Sequence, residues 1–382
     1  MSGMSPTGSV KRKRRSSAST ACTDTDQVSP TQLVEDNRMD GPLNLDRLRV
    51  PESAGGAGLT SSDISRLFEN GFTTVESIAF TPLRKLLGTV KSIGEAKQER
   101  MKAVASKLVP MGFQSAHECL KQRQQMIRLS TGSVSIDGLL QGGIETGSLT
   151  EIIGEFKSGK TQLCHTLAVT AQLPLGKGGA AGKVIYIDTE GTFRPERIIE
   201  IANKFNMNPE ITLANIVIAR AYNSDHQLRL LIEATNVMAH GARFALVVVD
   251  SVTALFRSDY SGRGELAERQ QSLSRFLRAL QRIADEYGTA VLMTNQVIAN
   301  VDQFGGGGFH GGPASKPAGG HVIAHASQTR LILRKGMADK RICRVFDSPV
   351  LPDSECAFYI TPKGISDTPS DPRSKSSNDE DD

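Results

Sequence analysis

Leu149-Thr150-Glu151-Ile152-Ile153-Gly154-Glu155-Phe156-Lys157-Ser158-Gly159-Lys160-Thr161 carries an apolar, β-rich run into a segment of helical spacing through a loop bounded by two glycines. Residues 154–161 fit the pattern G-x-x-x-x-G-K-[ST]. Glycine lets the backbone turn so that successive N–H groups point inward and hold phosphate oxygens. In this strand–loop–helix setting Lys160 is expected to reach the β- and γ-phosphates of a nucleoside triphosphate, and the Thr161 hydroxyl to ligate Mg²⁺. The helix that starts there adds its positive end.

Working outward, such a loop needs a second carboxylate for the metal. Phe244-Ala245-Leu246-Val247-Val248-Val249-Asp250 is an apolar run that delivers an acid at its end, where ligands sit in open α/β sheets. Asp250 is therefore the second candidate metal residue. Hydrolysis also needs a group to orient and deprotonate water. Val184-Ile185-Tyr186-Ile187-Asp188-Thr189-Glu190 offers two, Asp188 and Glu190, and position alone does not choose between them. A third run, residues 290–294, ends in Asn295-Gln296, read either as a sensor of the terminal phosphate or as edge amides satisfying backbone. Further β-rich runs cover 216–219 and 330–333, and segments such as 228–237 and 270–283 have helical periodicity. Continuous apolar strands alternating with helices from about residue 126 predict an α/β core, its mostly parallel sheet covered on both faces.

Residues 59–108 read as a small helical unit. Thr60, Ser61 and Ser62 are candidate caps, Ile64, Leu67 and Phe68 follow at helical spacing, Gly71 stops the helix, and Thr73-Thr74 restart one. Val90-Lys91-Ser92-Ile93-Gly94 is a short turn between two helical segments, like a helix-hairpin-helix. Residues 109–125 read as a linker. Residues 1–58 lack Phe, Tyr and Trp and are rich in small polar residues, so they are expected to stay disordered. Within them Lys11-Arg12-Lys13-Arg14-Arg15 is read as a nuclear import signal. Residues 368–382 form a second expected tail, closing on Asp379-Glu380-Asp381-Asp382.

The chain has 382 residues and a formal charge of +4, which neither requires nor forbids nucleic acid. No apolar run reaches the length of a membrane span, and the N-terminus lacks the apolar run of a secretory signal. Cys22, Cys119, Cys164, Cys343 and Cys356 are scattered, which points to neither a disulfide framework nor a zinc site and to a reducing compartment.

The 154–161 loop followed by Gln162, the run Tyr186-Ile187-Asp188-Thr189-Glu190-Gly191-Thr192-Phe193-Arg194-Pro195-Glu196-Arg197, Ser261-Gly262-Arg263-Gly264-Glu265-Leu266, and Ala324-His325-Ala326-Ser327 together resemble the eukaryotic branch of the RecA/RadA family of DNA strand-exchange recombinases. The resemblance spans about residues 59–367. It implies a RecA-like P-loop ATPase core over 126–367 behind the small helical domain. It also implies a nuclear enzyme using ATP and Mg²⁺, which forms helical filaments on single-stranded DNA and exchanges strands with a homologous duplex in double-strand break repair.

The same resemblance assigns roles. Glu190 matches the general base, with Lys160 and Gln296, the γ-phosphate sensor, completing the catalytic set. Gly154, Glu155, Phe156, Lys157, Ser158, Gly159 and Gln162 belong to the nucleotide loop, and Arg197 matches the arginine that packs on adenine. His325, Asp347 and Pro352 match residues that approach or cap the ATP of a neighbouring subunit. Arg257, Tyr260 and Arg263 fall in the first DNA-binding loop, while Val301, Phe304, Phe309 and Lys316 fall in the second. That second loop is longer and richer in glycine than in most relatives, and Lys157-Ser158 stands where Arg-Thr is common. Phe113-Gln114-Ser115-Ala116 matches a Phe-x-x-Ala element whose Phe113 and Ala116 would enter pockets of the next subunit. Recombination mediators would bind the same kind of pocket. A general recombinase is the preferred reading over a meiosis-specific one. A non-exchanging paralogue and a helicase-like P-loop motor are the alternatives.

Overall fold

The computed structural model describes residues 41–51, 53, 55–262, 264–299 and 315–369. The strands are β1 (Arg128–Leu129), β2 (Ile144–Glu145), β3 (Leu149–Gly154), β4 (Lys183–Asp188), β5 (Ile216–Arg220), β6 (Phe244–Asp250), β7 (Ala290–Asn295), β8 (Val297–Ala299), β9 (Ser315–Pro317), β10 (Thr329–Lys335), β11 (Lys340–Asp347), β12 (Glu355–Thr361) and β13 (Gly364–Ser366). A strand turns alternate side chains to opposite faces, and an apolar run on both faces must be covered twice. Val184, Tyr186, Leu246 and Val248 accordingly pack in one core, and Ile185, Ile187, Val247 and Val249 in the other. Each such buried side chain contributes about 1.5–3 kcal/mol relative to exposure.

The central sheet has nine strands in the order β13-β12-β11-β10-β3-β7-β6-β4-β5. β10, β3, β7, β6, β4 and β5 are parallel neighbours. β11, β12 and β13 extend the sheet antiparallel, a part the sequence reading does not contain. Register pairs Ile153 with Asn295 and Asp188 with Asp250, so the polar residues that end β4, β6 and β7 gather beside the loop after β3.

The helical unit is Ser61–Glu69, Val75–Phe80, Leu83–Thr89 and Glu95–Leu108. Thr60 and Thr74 each form a reciprocal cap with the residue three ahead, Asp63 and Ser77. The Gln98 amide donates to Val90 O and Ile93 O at 2.8 and 2.7 Å and so fixes the turn before its own helix. The expectation of disorder over residues 1–58 fails at its C-terminal end. Leu45–Arg49 is a 3-10 helix whose Leu45 and Leu48 are fully buried in this unit's core, and Leu43 N–H donates to Glu76 at 3.0 Å. A tail-wide average over polar residues hides two leucines that complete a core made elsewhere. Residues 1–40 of that expected tail, with the basic run, lie outside the described residues, as does most of the acidic one. Within the linker, Ser115 caps a short helix, Ala116–Gln124.

Candidate active site

The loop after β3 has the shape its glycines require. Lys157 and Gly159 take positive φ, +63° and +105°, and a β-carbon on Gly154 would meet Ser158 Oγ at 2.5 Å and Leu333 O at 2.8 Å. Ser158 Oγ is buried with no partner among the described residues. A concave loop with an unpartnered buried hydroxyl and a helix N-terminus fits a polyphosphate. Glu155, Phe156 and Lys157 form its exposed lip, the Lys157 ammonium lying 5.4 Å from the Phe156 ring centre. Lys160 Nζ donates to Gly154 O at 2.9 Å and Glu155 O at 3.0 Å. Burial holds its pKa below the usual lysine value, against the opposing pull of Asp250 and Glu190.

Asp250 is the hub of the floor. Its carboxylate accepts from Thr161 Oγ1 at 2.8 Å, from Tyr186 OH at 3.0 Å and from Thr294 Oγ1. A buried carboxylate beside a threonine hydroxyl is the all-oxygen donor set that suits Mg²⁺. Tyr186 and Thr294 were not singled out from the sequence. The signal was there, since Tyr186 shares a strand with Asp188 and Thr294 ends the run before Asn295. His165 was missed too, though it follows Thr161 by four residues and so shares its helix face. Its Nδ1 meets Thr161 O at 2.7 Å and its Nε2 accepts Arg194 N–H at 3.2 Å, which makes Nδ1 the protonated nitrogen. Burial lowers its pKa, and the neutral ring stacks on Phe193 at 5.1 Å.

The two acids after β4 separate. Asp188 is buried and accepts from the N–H groups of Glu190, Gly191 and Phe193 at 3.0, 2.7 and 3.1 Å, so it folds the loop. Glu190 is exposed, and its Oε1 accepts from Gln296 Nε2 at 2.7 Å. The two amides after β7 separate the same way. Asn295 is buried, donating to Glu151 Oε1 and Ala318 O, both at 2.7 Å, while its Oδ1 accepts from Thr253 Oγ1 and Gln296 N. Beneath it Glu151 pairs with Arg330 at 2.7 Å, both buried. Gln296 Oε1 in turn accepts from Arg257 Nη1 at 3.2 Å. A continuous chain of side chains, Glu190–Gln296–Arg257, therefore runs from the loop after β4 to helix Ala254–Asp259.

Other expected residues distribute as follows. Arg197 Nε donates to Gln162 Oε1 at 2.8 Å, and its guanidinium reaches the carbonyls of Thr361 and Pro362 at the β12–β13 turn. Tyr260 packs partly against the second core rather than standing free. Lys316 is exposed on β9, opposite Ile298 of β8, and so stands at the root of the second loop. Arg263, Val301, Phe304 and Phe309 lie outside the described residues. His325 is exposed and shares a cleft with Asp347, Arg278 and Gln281 that no residue of the 154–161 loop lines. Pro352 is exposed in the loop after β11 but does not line that cleft. Phe113 is fully exposed, at 112% of its reference area, which excludes packing on its own domain, and Ala116 is exposed beside it. β5, an edge of the sheet, exposes Val217 and Ile218. Among the described residues no helix is long and apolar enough to cross a membrane.

A family model described as Rad51 matches residues 122–368. The chain is 54% identical over 327 residues to the DNA repair protein rhp51 of Schizosaccharomyces pombe, covering 86% of each. It is 50% identical over 341 residues to the DNA repair protein RAD51 homolog 1 of Arabidopsis thaliana, covering 89% of this chain and 96% of that one. With the DNA repair protein RAD51 of Mycosarcoma maydis the identity is 52% over 340 residues, 88% of this chain and 97% of the other.

Proposed function

The chain belongs to the Rad51 family and is a recombinase of homologous-recombination repair, and from that premise we propose that it is an ATP-dependent enzyme whose nucleotide state sets its grip on single-stranded DNA. The observation that carries this reading is the side-chain chain Glu190–Gln296–Arg257. It connects the exposed acid after β4, the candidate base, to an arginine of the first DNA-binding loop. The 154–161 loop would hold the triphosphate, and Thr161 with Asp250 would hold Mg²⁺, which supplies positive charge to the phosphates. Glu190 takes the proton of the attacking water. Lys160 leaves its loop carbonyls to meet phosphate charge. Gln296 changes partner from Glu190 to the terminal phosphate, and Arg257 is released or held accordingly. Because a ligand shifts an equilibrium only by its differential affinity for two states, ATP strengthens DNA binding to the extent that this rearrangement favours the DNA-competent loops.

The assembly is proposed on two exposed features. Phe113 and Ala116 are exposed, and β5, which ends the sheet among the described residues, exposes its apolar Val217 and Ile218. Adding the 113–116 segment to a neighbour's β5 gives backbone pairing for affinity and two side chains for register, and it generates a helical filament. Mediator proteins carrying a similar element would use the same edge. The exposed cleft with His325 and Asp347, with Pro352 in the same loop, would then face the neighbour's nucleotide. A nuclear site of action and a general rather than meiotic role complete the reading.

The test is joint-molecule formation between single-stranded and duplex DNA with ATP or a slowly hydrolysed analogue. Wild type is expected to form joint molecules with both, and Gln296→Ala to bind ATP yet lose the ATP-dependent gain in single-strand affinity. If that variant retained the full gain, the coupling would not run through Gln296.

A further inference from the structure

Cys343 and Cys356 stand directly opposite each other in the antiparallel pair β11–β12. Opposed residues of such a pair project on the same face of the sheet. Val345 N–H donates to Ser354 O at 2.9 Å, which marks these two as a pair joined by backbone hydrogen bonds. Joined pairs recur at every second residue, so Cys343 and Cys356 form one as well, with α-carbons about 5.5 Å apart. The α-carbon separation falls inside the range a disulfide spans, whereas the β-carbons of a hydrogen-bonded pair stand toward the wide end of about 4.5–5.5 Å, so closing the bond draws the two strands together locally and leaves it easily reduced. Both thiols are free, Cys343 fully buried and Cys356 half-buried, and they stand side by side on one face of the sheet. The neighbouring Cys343 holds the Cys356 thiol below its usual pKa, against burial and the Asp367 and Glu355 carboxylates, whereas Cys356 and burial push Cys343 up. The reachable member is thus the better nucleophile and the buried one its resolving partner.

We propose that Cys343 and Cys356 are a reversible redox pair, converted by a peroxide into a disulfide that ties β11 to β12 at the root of the loop between them. The Cys356 thiolate attacks one peroxide oxygen, the O–O bond breaks, and Cys356 sulfenic acid and hydroxide form. The Cys343 sulfur then attacks Cys356 Sγ, the S–O bond breaks, and water leaves. Two thiols are oxidised and one hydrogen peroxide is reduced to two waters, the thiol protons going to the departing oxygens. The ring so closed carries Asp347 and Pro352. The effect on the enzyme therefore rests on the proposed role of that loop toward a neighbour's nucleotide, whereas the bond itself does not.

The experiment treats the full chain with hydrogen peroxide, blocks remaining thiols, digests without reductant and identifies linked peptides by mass spectrometry. The expected product is a peptide joining Cys343 to Cys356, lighter by two hydrogens, lost on dithiothreitol and unchanged in Cys119→Ser. Cys343→Ser should instead leave Cys356 as a sulfenic acid captured by dimedone. Wild-type protein with Cys356 oxidised but unlinked, or linked to another cysteine, overturns the proposal even if the variants fold poorly. Separately, DNA-stimulated ATP turnover should fall on oxidation and return with dithiothreitol, and Cys356→Ser should resist the fall. A disulfide with no such loss overturns the consequence for the loop and leaves the bond standing.

Discussion

At the residue scale, Asp188 with Glu190 and Asn295 with Gln296 follow one rule. In β4 and β7 the last polar residue is taken up by the fold, and a residue one or two positions past the strand end turns into the cleft. Asp188 closes β4 and caps three N–H groups, while Asn295 closes β7 and ties Glu151, Thr253 and Ala318 together. Glu190 and Gln296 lie beyond those ends and bond each other across the cleft. The two acids should therefore fail differently. Glu190→Gln is expected to slow DNA-stimulated phosphate release by roughly 10²–10⁴-fold with little change in nucleotide affinity. Asp188→Asn should lower thermal stability by about 1–3 kcal/mol, because buried N–H groups lose a charged acceptor. Phosphate release and melting curves on both variants separate the outcomes, and undiminished turnover in Glu190→Gln would remove it as the base. The sequence supplied both acids as candidates but not the point where the strand stops, and that point decides between them.

At the element scale, the helical unit was legible from its caps. Thr60, Thr74 and Gly71 mark helix boundaries by local chemistry alone. Its docking on helix Leu266–Tyr287 was not legible, because it depends on residues some two hundred apart. Thr73 Oγ1 meets Tyr287 OH at 2.7 Å, and Arg282 donates to Ser77 O at 3.2 Å and to Glu286 at 3.1 Å. Glu286 is buried there, and burial raises its pKa from 4.5 to about 7 despite the nearby Arg282, with Glu76 adding repulsion. Between those values the folded chain binds a proton that the unfolded chain has released, so this group makes stability fall as pH rises from about 4.5 to about 7. The full difference is of order 3 kcal/mol at most. Melting from pH 4.5 to 8 should show a steeper decline for wild type than for Glu286→Gln. Parallel curves would acquit Glu286.

At the scale of the whole molecule, the exposed Phe113 and the open β5 edge are two halves of one proposed joint. Phe113→Glu and Ile218→Lys should each abolish long oligomers while leaving the melting temperature within a few degrees, since neither side chain is in a core. Light scattering and calorimetry read this, and a Phe113→Glu protein still eluting as a long oligomer would refute the joint. The parallel strands, the glycine-bounded loop and the placing of Asp250 at the end of a buried strand were determined by the sequence itself. Apolar runs of strand length, a glycine-bounded loop and an acid at a strand end are local patterns whose physics does not wait for the rest of the chain. Only the tertiary structure decided that Leu45 and Leu48 fill the helical unit, that Gln296 bridges Glu190 to Arg257, and that Cys343 and Cys356 face each other across a hairpin. Those facts depend on register and on which strands become neighbours, and long-range pairing is set by burial of the whole sheet rather than by any segment of it.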